Sequence, residues 1–242
     1  LNPKLSFKYE FNNMFKINAS GQYEQNIDNF ENYYDNPVLS DYQSLFTMIA
    51  PMSVSDLTRA NVRLTFNYPF YAINSSLSYT YQHRNSDIIY KYDIDENGAS
   101  YLQMIESPNT SDYHVINLNV KKFISVIKTT IGLKANLLHN TRHNILNGSL
   151  VENKNISAGI MPNMMVTIKH WAHFNYSFNF NNIQTFSEDV KKSDVNYLRH
   201  YCKLNIFPHR DHLITLNSEI YSHLGENYVY FDVSYQYSVP KY

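Results

Sequence analysis

The sequence has little cysteine and few charged residues, which are the residues that disulfide-bonded, thiolate-metal and highly charged proteins require. It has one cysteine, Cys202, which excludes an internal disulfide and a thiol pair with metal-ligand spacing. Charged residues make up 17% of the chain, whereas about a quarter of the residues in a soluble globular domain are charged. The 20 basic and 21 acidic residues give a net charge of −1, which argues against a protein that binds nucleic acid or an anionic membrane surface through its overall charge.

Long apolar runs, glycine and proline are also scarce. No segment approaches the roughly 18 consecutive apolar residues of a transmembrane helix, and the 242 residues include 6 glycines and 8 prolines. Tyrosine, phenylalanine and asparagine are abundant instead, with 22, 14 and 31 residues. The mean hydropathy of −0.43 is compatible with a membrane β-barrel, because only every second residue of its strands has to be apolar.

Apolar and polar residues alternate with a period of two along most of the chain, which is the pattern of β-strands with one apolar face. Eleven segments show this pattern: Leu5–Phe11, Phe15–Ala19, Ala60–Tyr68, Ile73–Tyr81, Ile116–Val120, Ile127–Leu137, Ile160–Ile168, Phe174–Phe180, Leu198–Ile206, Ile214–Ile220 and Val229–Tyr237. The sequence therefore predicts an all-β fold of eleven antiparallel strands.

The predicted connections between these strands alternate in length. After odd-numbered strands they are short turns, at Asn12-Asn13, Pro69 to Tyr71, Ser125, His170 and Pro208 to Asp211. After even-numbered strands they are mostly long, at residues 24–58, 85–113, 140–154 and 187–194, with a short exception at Gly225 to Asn227. In an up-and-down meander this alternation places the long loops at one end, as in outer-membrane barrels but not in soluble sandwiches.

Three features favour lipid over a protein core as the neighbour of the apolar face. Aromatic residues of this face gather near the short turns, as in an interfacial girdle: Phe11, Phe15, Tyr68, Phe70 and Trp171. The strands reach about 10 residues, whereas soluble strands average about 5 to 6. The opposite face is mostly Asn, Ser, Thr and Gln, which suits a wet lumen. We therefore expect an antiparallel up-and-down transmembrane β-barrel in the cell outer membrane, with a large soluble β domain as the alternative.

The strand rhythm from Asn2-Pro3-Lys4-Leu5 to Tyr235-Gln236-Tyr237, together with the stretch Tyr92 to Gly98, resembles a known family. This family is the carboxy-terminal β-barrel of TonB-dependent outer-membrane receptors, in the Asn- and Tyr-rich style of Bacteroidetes proteins. The resemblance implies that residues 1–242 are one barrel segment, about half of a barrel of about 22 strands. Because two strand edges would be left unpaired in lipid, we expect that the segment does not close a barrel by itself.

The resemblance also implies a function and partners. The function is uptake of a large ligand, such as a glycan or a siderophore, after capture by extracellular loops. The partners are the lipid bilayer of the outer membrane, a TonB-type energy-coupling protein that contacts regions outside this segment, and, as a further candidate, a surface lipoprotein. No stretch of the chain matches the plug domain or the TonB-contacting box of the family.

Asp93-x-Asp95-x-Asn97-Gly98 has the spacing of the first half of a calcium-binding loop. The twelfth position, where a bidentate glutamate is needed, is Met104. Strand-like segments lie on both sides, and Asn-Gly supplies the positive φ that a tight hairpin turn requires. We therefore predict that this motif is the tip of an extracellular hairpin.

Other candidate residues also have a structural explanation. Three histidine pairs have a spacing that could share a metal on a helix, but they are predicted at strand ends or in turns, where this spacing does not converge: His139/His143, His170/His173 and His209/His212. Glu188, Asp189 and Asp211 are predicted in loops without apolar surroundings, which gives little support for paired-carboxylate catalysis. We predict no catalytic, cofactor-binding or metal-binding residue, and no enzyme activity.

The connection 24–58 and its border are rich in aromatic residues: Tyr23, Phe30, Tyr33, Tyr34, Tyr42 and Phe46. Aromatic rings on loops can stack against sugars or a siderophore-like ligand, and the alternative is that they pack the loops against each other. The sequence therefore assigns no individual ligand-binding residue. Two other functions stay open, namely a non-transport outer-membrane barrel or adhesin, and a soluble all-β glycan-binding domain.

Overall fold

The structure is a computed structural model that describes residues 2–27, 38–41, 44–48, 53–96, 98–223 and 226–238. Within these ranges thirteen β-strands follow one another: β1 Lys4–Glu10, β2 Phe15–Ile27, β3 Val38–Asp41, β4 Ser44–Met48, β5 Val54–Tyr68, β6 Ile73–Ile94, β7 Ser100–Ile124, β8 Thr129–Leu146, β9 Ser149–Lys169, β10 Ala172–Ser187, β11 Val190–His209, β12 His212–His223 and β13 Glu226–Tyr237. Among the same residues, no helix is long and apolar enough to cross a membrane.

Eleven of the strands form one antiparallel meander in the order β1-β2-β5-β6-β7-β8-β9-β10-β11-β12-β13. Each of the eleven predicted segments overlaps one of these strands, with Phe11, Ile127 and Lys128 in turns outside them, so the predicted all-β, up-and-down fold is confirmed. Within the described part of the chain, β1 and β13 are the two edges of the meander, and each pairs with a neighbour on one side.

The register of the meander separates two faces, because successive side chains of a strand point to opposite sides of the sheet. One row of paired residues contains Ile17, Leu64, Leu77, Leu118, Ala135, Ile160, Phe180 and Leu198. The adjacent row contains Asn18, Arg63, Ser78, Asn117, Asn136, Gly159 and Asn181. We call the side of the sheet that carries Leu77 the apolar face and the side that carries Ser78 the polar face.

The apolar face is not covered by protein. Leu5 is 78% exposed, Phe231 is 68% exposed, and Leu77 near the start of β6 is 43% exposed. The total accessible surface is 16427 Å², whereas a compact soluble protein of this mass has roughly 11,000 Å². A contiguous apolar face of this extent is not stable in water. The structure is therefore a one-layer, barrel-like wall whose apolar face suits lipid.

The apolar band crosses the sheet obliquely. The row that contains Ile17 on β2 reaches Ser222 on β12. The apolar residues of β12 on this face, from Ile214 to Ile220, lie closer than Ser222 to the turn between β11 and β12. Because a bilayer is flat, this displacement means that the strands are tilted to the membrane normal, as in outer-membrane barrels.

One end of the meander, which we call the turn end, has the short turns that the sequence predicts. The Asn12 side-chain oxygen accepts hydrogen bonds from the backbone N–H groups of Met14 and Phe15, both at 2.8 Å, which closes the first turn. Pro69–Tyr71 form a single 3-10 turn. The remaining connections at this end are residues 125–128, 170–171 and 210–211.

The prediction of long loops at the opposite end, which we call the extended end, is wrong for three of the four connections. Strands β6 and β7 continue through most of residues 85–113, and β8 and β9 continue to a two-residue turn at Asn147-Gly148. Strands β10 and β11 meet at Glu188-Asp189. Both turns have positive φ at both residues, which is the type I′ geometry that matches strand twist. Of the fourth predicted loop, 24–58, residues 28–37, 42–43 and 49–52 lie outside the described residues, and the rest belongs to the ends of β2 and β5, Ser53, and strands β3 and β4.

The strand extensions form a small layer with its own core. Beyond a register shift between Ser86 and Ile88, the β6–β7 hairpin pairs with β4 on one side and with the end of β8 on the other, both in parallel. Four of the five buried hydrophobic side chains of the described chain belong to this layer: Ile88, Ile89, Met104 and Val151. We call it the cap layer. Its side chains are buried by protein, in contrast to those of the apolar face.

The assignment of the two faces predicts unequal effects for lysine substitutions at neighbouring positions. Leu77→Lys places a charge near the middle of the apolar band and should destabilise the full-length barrel in lipid vesicles by about 2–4 kcal/mol. The matched control is Ser76→Lys, whose side chain joins the polar face beside Thr65 and Asn119, and it should change the free energy of unfolding by less than about 1 kcal/mol. Urea titration of the folded barrel measures both. Equal destabilisation by the two variants would contradict the assignment of the faces.

Gly148 predicts a second contrast between matched variants. Its φ is +81° and a Cβ would meet nothing within 4 Å, so Gly148→Ala should cost about 1 kcal/mol through backbone strain alone. Gly21 on β2 also has open space for a Cβ but no left-handed φ, and Gly21→Ala should be neutral or slightly stabilising. The same urea titration compares them, and a neutral Gly148→Ala variant would argue against the type I′ turn.

Candidate functional site

The polar face is the candidate functional site, because its described residues combine charge, hydrogen-bonding groups and cavities. Along the meander it carries these basic residues: Lys4, Lys8, Lys16, Arg59, Arg63, Arg84, Lys121, Lys134, Arg142, Arg199 and Lys203. Its acidic residues are fewer: Glu10, Glu24, Glu219, Glu226 and Asp232. The register therefore gives this face a net positive charge in a chain whose net charge is −1.

Some of these charges neutralise one another. Glu10 Oε1 lies 3.0 Å from both Lys8 Nζ and Lys16 Nζ at the β1 edge. Arg199 Nε lies 2.7 Å from Glu219 Oε1, and its second nitrogen donates to Glu219 Oε2 at 2.7 Å. This is a bidentate, charge-assisted pair of the strong kind. Between β2 and β9, the register rows that contain the basic residues of β5 to β8 include one acidic residue, Glu24.

A cavity of about 550 Å³ lies on the polar face toward the extended end. It is lined by Asn26, Leu57, Gln82, Arg84, Ser111, Tyr113 and Asn140. The lining residues come from β2, β5, β6, β7 and β8, and every one of them has the parity of the polar face. Its volume is within the roughly 300–1,000 Å³ of ordinary ligand sites.

A second cavity of about 370 Å³ lies further from the extended end, near asparagines of β7, β8 and β10. Gly159 lies between two of its lining residues in the register, Asn136 and Asn181. A Cβ at Gly159 would come within 2.4 Å and 2.3 Å of their side-chain oxygens. The glycine therefore lets the two amides approach each other across the intervening strand. Asn119, which also lines this cavity, has a buried side-chain oxygen without a partner among the described residues.

A belt of tyrosine, histidine and aspartate marks where the apolar face ends on β6 to β8. Tyr81 Oη donates to Asp112 Oδ1 at 2.8 Å, and His83 Nδ1 lies 2.9 Å from the same oxygen. One row closer to the turn end, Tyr79 Oη lies 2.8 Å from His114 Nδ1. Amphipathic rings with satisfied polar atoms are typical of the membrane interface, so this belt bounds the apolar band on the side of the extended end.

Ion pairs lie beyond this belt. Lys154 Nζ donates to Asp189 Oδ1 at 2.7 Å, and this hydrogen bond holds the pKa of Lys154 above its usual value. Asp194 accepts hydrogen bonds from Lys191 and from Asn182, which hold the pKa of its carboxyl below its usual value. Both pairs lie at the surface, where such interactions contribute little to stability. They connect side chains at the extended ends of β9, β10 and β11.

The predicted hairpin tip at Asp93 to Gly98 is confirmed for the residues described there. Asp95 and Ala99 are joined by two hydrogen bonds, one from the Asp95 N–H to the Ala99 carbonyl at 3.0 Å and one from the Ala99 N–H to Asp95 Oδ1 at 2.9 Å. Gly98 has φ +80°, and Asn97 lies outside the described residues. Asp95 is thus used as a turn-closing acceptor.

The predicted histidine pairs are only partly brought together. The rings of His209 and His212 are 5.9 Å apart across the last turn. His139 and His143 both lie inside β8, so their predicted position at a strand end is wrong, and four steps along the strand place them about 13 Å apart. Among the described residues, no group of three or more His, Cys, Asp or Glu side chains could hold a metal ion.

The other sequence-based candidates are scattered along the wall. Glu188 and Asp189 form a turn with positive φ, and Asp211 lies in the turn between β11 and β12. Of the aromatic residues in the connection 24–58 and at its border, Tyr23 lies on β2 and donates to Asp56 Oδ1 at 2.7 Å. Phe30, Tyr33, Tyr34 and Tyr42, and the side chain of Phe46, lie outside the described residues.

Sequence reasoning missed the arginines and Tyr113 near the larger cavity. Arg59 and Arg84 lie just beyond the predicted strand segments, and Tyr113 and Arg142 lie in residues 85–113 and 140–154, which the sequence predicts as loops. Their proximity depends on the register between strands far apart in the sequence.

No protein-family model and no curated protein matches the chain. Among solved structures, the ferric yersiniabactin uptake receptor FyuA from Yersinia pestis is 9% identical, with a TM-score of 0.53 over 97% of this chain and 40% of FyuA. The outer membrane channel DcaP of Acinetobacter baumannii is 9% identical, with a TM-score of 0.45 over 98% of this chain and 84% of DcaP. The β domain of the Bordetella autotransporter BrkA is 8% identical, with a TM-score of 0.40 over 98% of this chain and 89% of that domain.

Of these three, FyuA alone has a TM-score above 0.5, and at this identity the likeness concerns the fold alone. The fold is that of an outer-membrane β-barrel wall, and the chain spans less than half of FyuA. The predicted location in the cell outer membrane agrees with the exposed apolar face and with the fold shared with FyuA, an outer-membrane β-barrel.

Proposed function

We propose that this chain is part of the barrel wall of an outer-membrane receptor that imports a large ligand. The observation that carries the proposal is the separation of faces: an exposed apolar face for lipid, and a polar face with a cavity of about 550 Å³ near the extended end. The similarity of fold to an uptake receptor over 97% of the chain supports it. In barrels of this kind the short turns face the periplasm, so the extended end and its cavity would face the outside.

The remaining parts of the proposal come from the resemblance of the sequence to TonB-dependent receptors of Bacteroidetes type. A plug domain, a TonB-type energy-coupling protein and a surface lipoprotein would act together with this wall. The ligand would be a glycan, a siderophore or a molecule of similar size. We propose a transporter and not an enzyme, since the titratable groups described above act as turn closers, interface residues and surface ion pairs.

A non-transport barrel or adhesin is the second candidate. The observation that favours it is the cap layer, whose buried Ile88, Ile89 and Met104 would make a rigid platform for contact with another surface. A soluble glycan-binding domain does not account for the exposed apolar face.

Deletion of the gene for the full-length protein distinguishes these functions. If the protein is a receptor, the deletion strain should not grow on at least one large glycan or iron-siderophore complex of a panel. Its growth on the matching monosaccharide or on free iron salts should be unchanged. Removal of the TonB-type protein should cause the same loss of growth, because uptake through a barrel that is closed by a plug domain requires energy from the inner membrane.

The control is a strain complemented with the wild-type gene, which should recover growth. Normal growth of the deletion strain across the panel, combined with loss of adhesion to surfaces or cells, would overturn the receptor and favour the adhesin. Growth that depends on this protein but not on the TonB-type partner would contradict energy-coupled uptake.

A further inference from the structure

Five tyrosines lie close together on the polar face at the β13 side of the wall. They come from three neighbouring strands, with Tyr197 and Tyr201 on β11, Tyr221 on β12, and Tyr228 and Tyr230 on β13. The Tyr221 ring lies 6.2 Å from the Tyr197 ring and 6.5 Å from the Tyr228 ring, at interplanar angles of 38° and 35°. We call these five residues the tyrosine platform.

The platform lies on the side of the sheet that faces away from lipid. The aromatic girdles of a membrane barrel lie on its lipid-facing side, so a girdle does not account for rings on the polar face. Tyr228 and Tyr230 are 44% and 61% exposed. A further strand beside β13 would leave this face of the rings open, because neighbouring strands pair in the plane of the sheet. The rings are therefore accessible from the polar side.

The cavity of about 370 Å³ adjoins the platform. Five asparagines line it: Asn117, Asn119, Asn136, Asn179 and Asn181. Asn181 pairs with Tyr197 in the register, and Asn179 pairs with Arg199, which pairs with Tyr221 on its other side. The Asn181 amide also donates to Asn179 Oδ1 at 2.9 Å, which orients the two side chains. Lining residues of the cavity and residues of the platform are thus neighbours on β10 and β11, about 5 Å apart.

The charged groups among the platform residues are paired within the protein. On β10 to β13, the three rows of the platform contain three charged residues, namely Arg199, Glu219 and Glu226. Arg199 and Glu219 form the bidentate pair described above, and Tyr228 Oη donates to Glu226. The cation of the cavity, Lys134, lies on β8, three strands away from β11. This balance favours a ligand without charge.

Tyrosine rings beside asparagine amides form a set of groups that fits a sugar chain. A pyranose ring has an apolar face of C–H groups, which packs against an aromatic ring, and hydroxyl groups at its edge, which exchange hydrogen bonds with amides. An aromatic ligand would use the rings but leave the amides without partners. Asn136 on β8 and Tyr228 on β13 are five strand spacings apart, or about 24 Å along the sheet. A ligand that contacts both parts therefore has several sugar units.

We propose that the tyrosine platform and the adjoining asparagine cavity bind a neutral oligosaccharide of several sugar units. The tyrosine rings pack against the faces of successive units, and the amides of Asn136, Asn179 and Asn181 exchange hydrogen bonds with the hydroxyl groups. The role of this binding in uptake rests on the function proposed above, whereas the binding itself does not.

Isothermal titration calorimetry of the full-length protein, in a detergent without a sugar headgroup, tests the proposal. The probes are maltohexaose, cellohexaose and mannohexaose, each compared with its disaccharide. At least one hexasaccharide should bind about tenfold more tightly than its disaccharide, because the longer chain contacts both the platform and the cavity. Hexagalacturonic acid, which has a carboxylate on every unit, should bind more weakly than that hexasaccharide, since Glu219 and Glu226 lie in the platform rows.

Substitutions in the platform separate the ring from its hydroxyl group. Tyr197→Ala and Tyr228→Ala should each weaken the binding of the hexasaccharide about tenfold, whereas Tyr228→Phe keeps the ring and should stay within about threefold of the wild-type affinity. The matched control is Tyr71→Ala, because Tyr71 is 60% exposed but lies in the turn between β5 and β6 at the turn end. This variant should keep the affinity within about twofold of the wild-type value.

Three results would overturn the proposal. They are no binding of any of the three hexasaccharides, equal or tighter binding of the disaccharides or of hexagalacturonic acid, and unchanged affinity in both alanine variants of the platform. If one alanine variant fails to fold, the other alanine variant and the comparison of hexasaccharide with disaccharide still decide.

The calorimetric test needs neither a TonB-type protein nor transport. A deletion strain with normal uptake, together with tyrosine-dependent binding of a hexasaccharide in detergent, would contradict the receptor but leave the saccharide site in place. Energy-dependent uptake of another ligand, together with no binding of the hexasaccharides, would do the reverse.

Discussion

A strand in contact with lipid has to give each backbone N–H and C=O group a partner within the protein, because no water is available there. Every feature of this wall depends on that constraint. The meander from β1 to β13 meets it by pairing each inner strand on both sides. At β1 and β13 the described chain leaves one side of each strand open, and in a bilayer those edges need further strands. The pairing of strands is therefore continuous across the wall, and its register determines which side chains are neighbours.

Strict pairing also fixes what each face can do. A shift of the register by one residue would move Leu77 to the polar face and Ser78 to lipid. Contact with the bilayer therefore requires apolar side chains at every second position, and this requirement applies to the apolar face alone. The polar face is free to vary in composition, as long as its groups fit together. Gly159 between Asn136 and Asn181 illustrates such a fit, where the absence of a side chain makes room for two amides. Recognition chemistry can thus change on a wall whose apolar side stays constant.

The sequence predicts the part of the fold that lipid constrains. The period-two alternation predicts all eleven meander strands. The bilayer imposes this alternation on the part of each strand that crosses the apolar band, which on β6 runs from Ile73 to Tyr81. Above this level the strands continue in water, the alternation weakens, and residues 85–113 resemble a loop. Asn147-Gly148 was a usable signal for a tight hairpin, but Glu188-Asp189 carries no such signal. The parallel contacts of β4 with β7 and of β6 with β8 join distant segments, and single-sequence patterns do not contain that information.

The same reasoning explains why net charge was a poor guide to the candidate site. The chain as a whole is nearly neutral, and neutrality argues against an anionic partner only when charges are mixed on one surface. Here Asp56, Asp112 and Asp194 lie on the outward side near the extended end, whereas Arg59, Arg84 and Arg142 lie on the polar face. A sheet sorts charges by parity, and a wall with one side in lipid keeps the sorted sets apart. The electrostatic character of such a protein is therefore a property of each face and not of the composition.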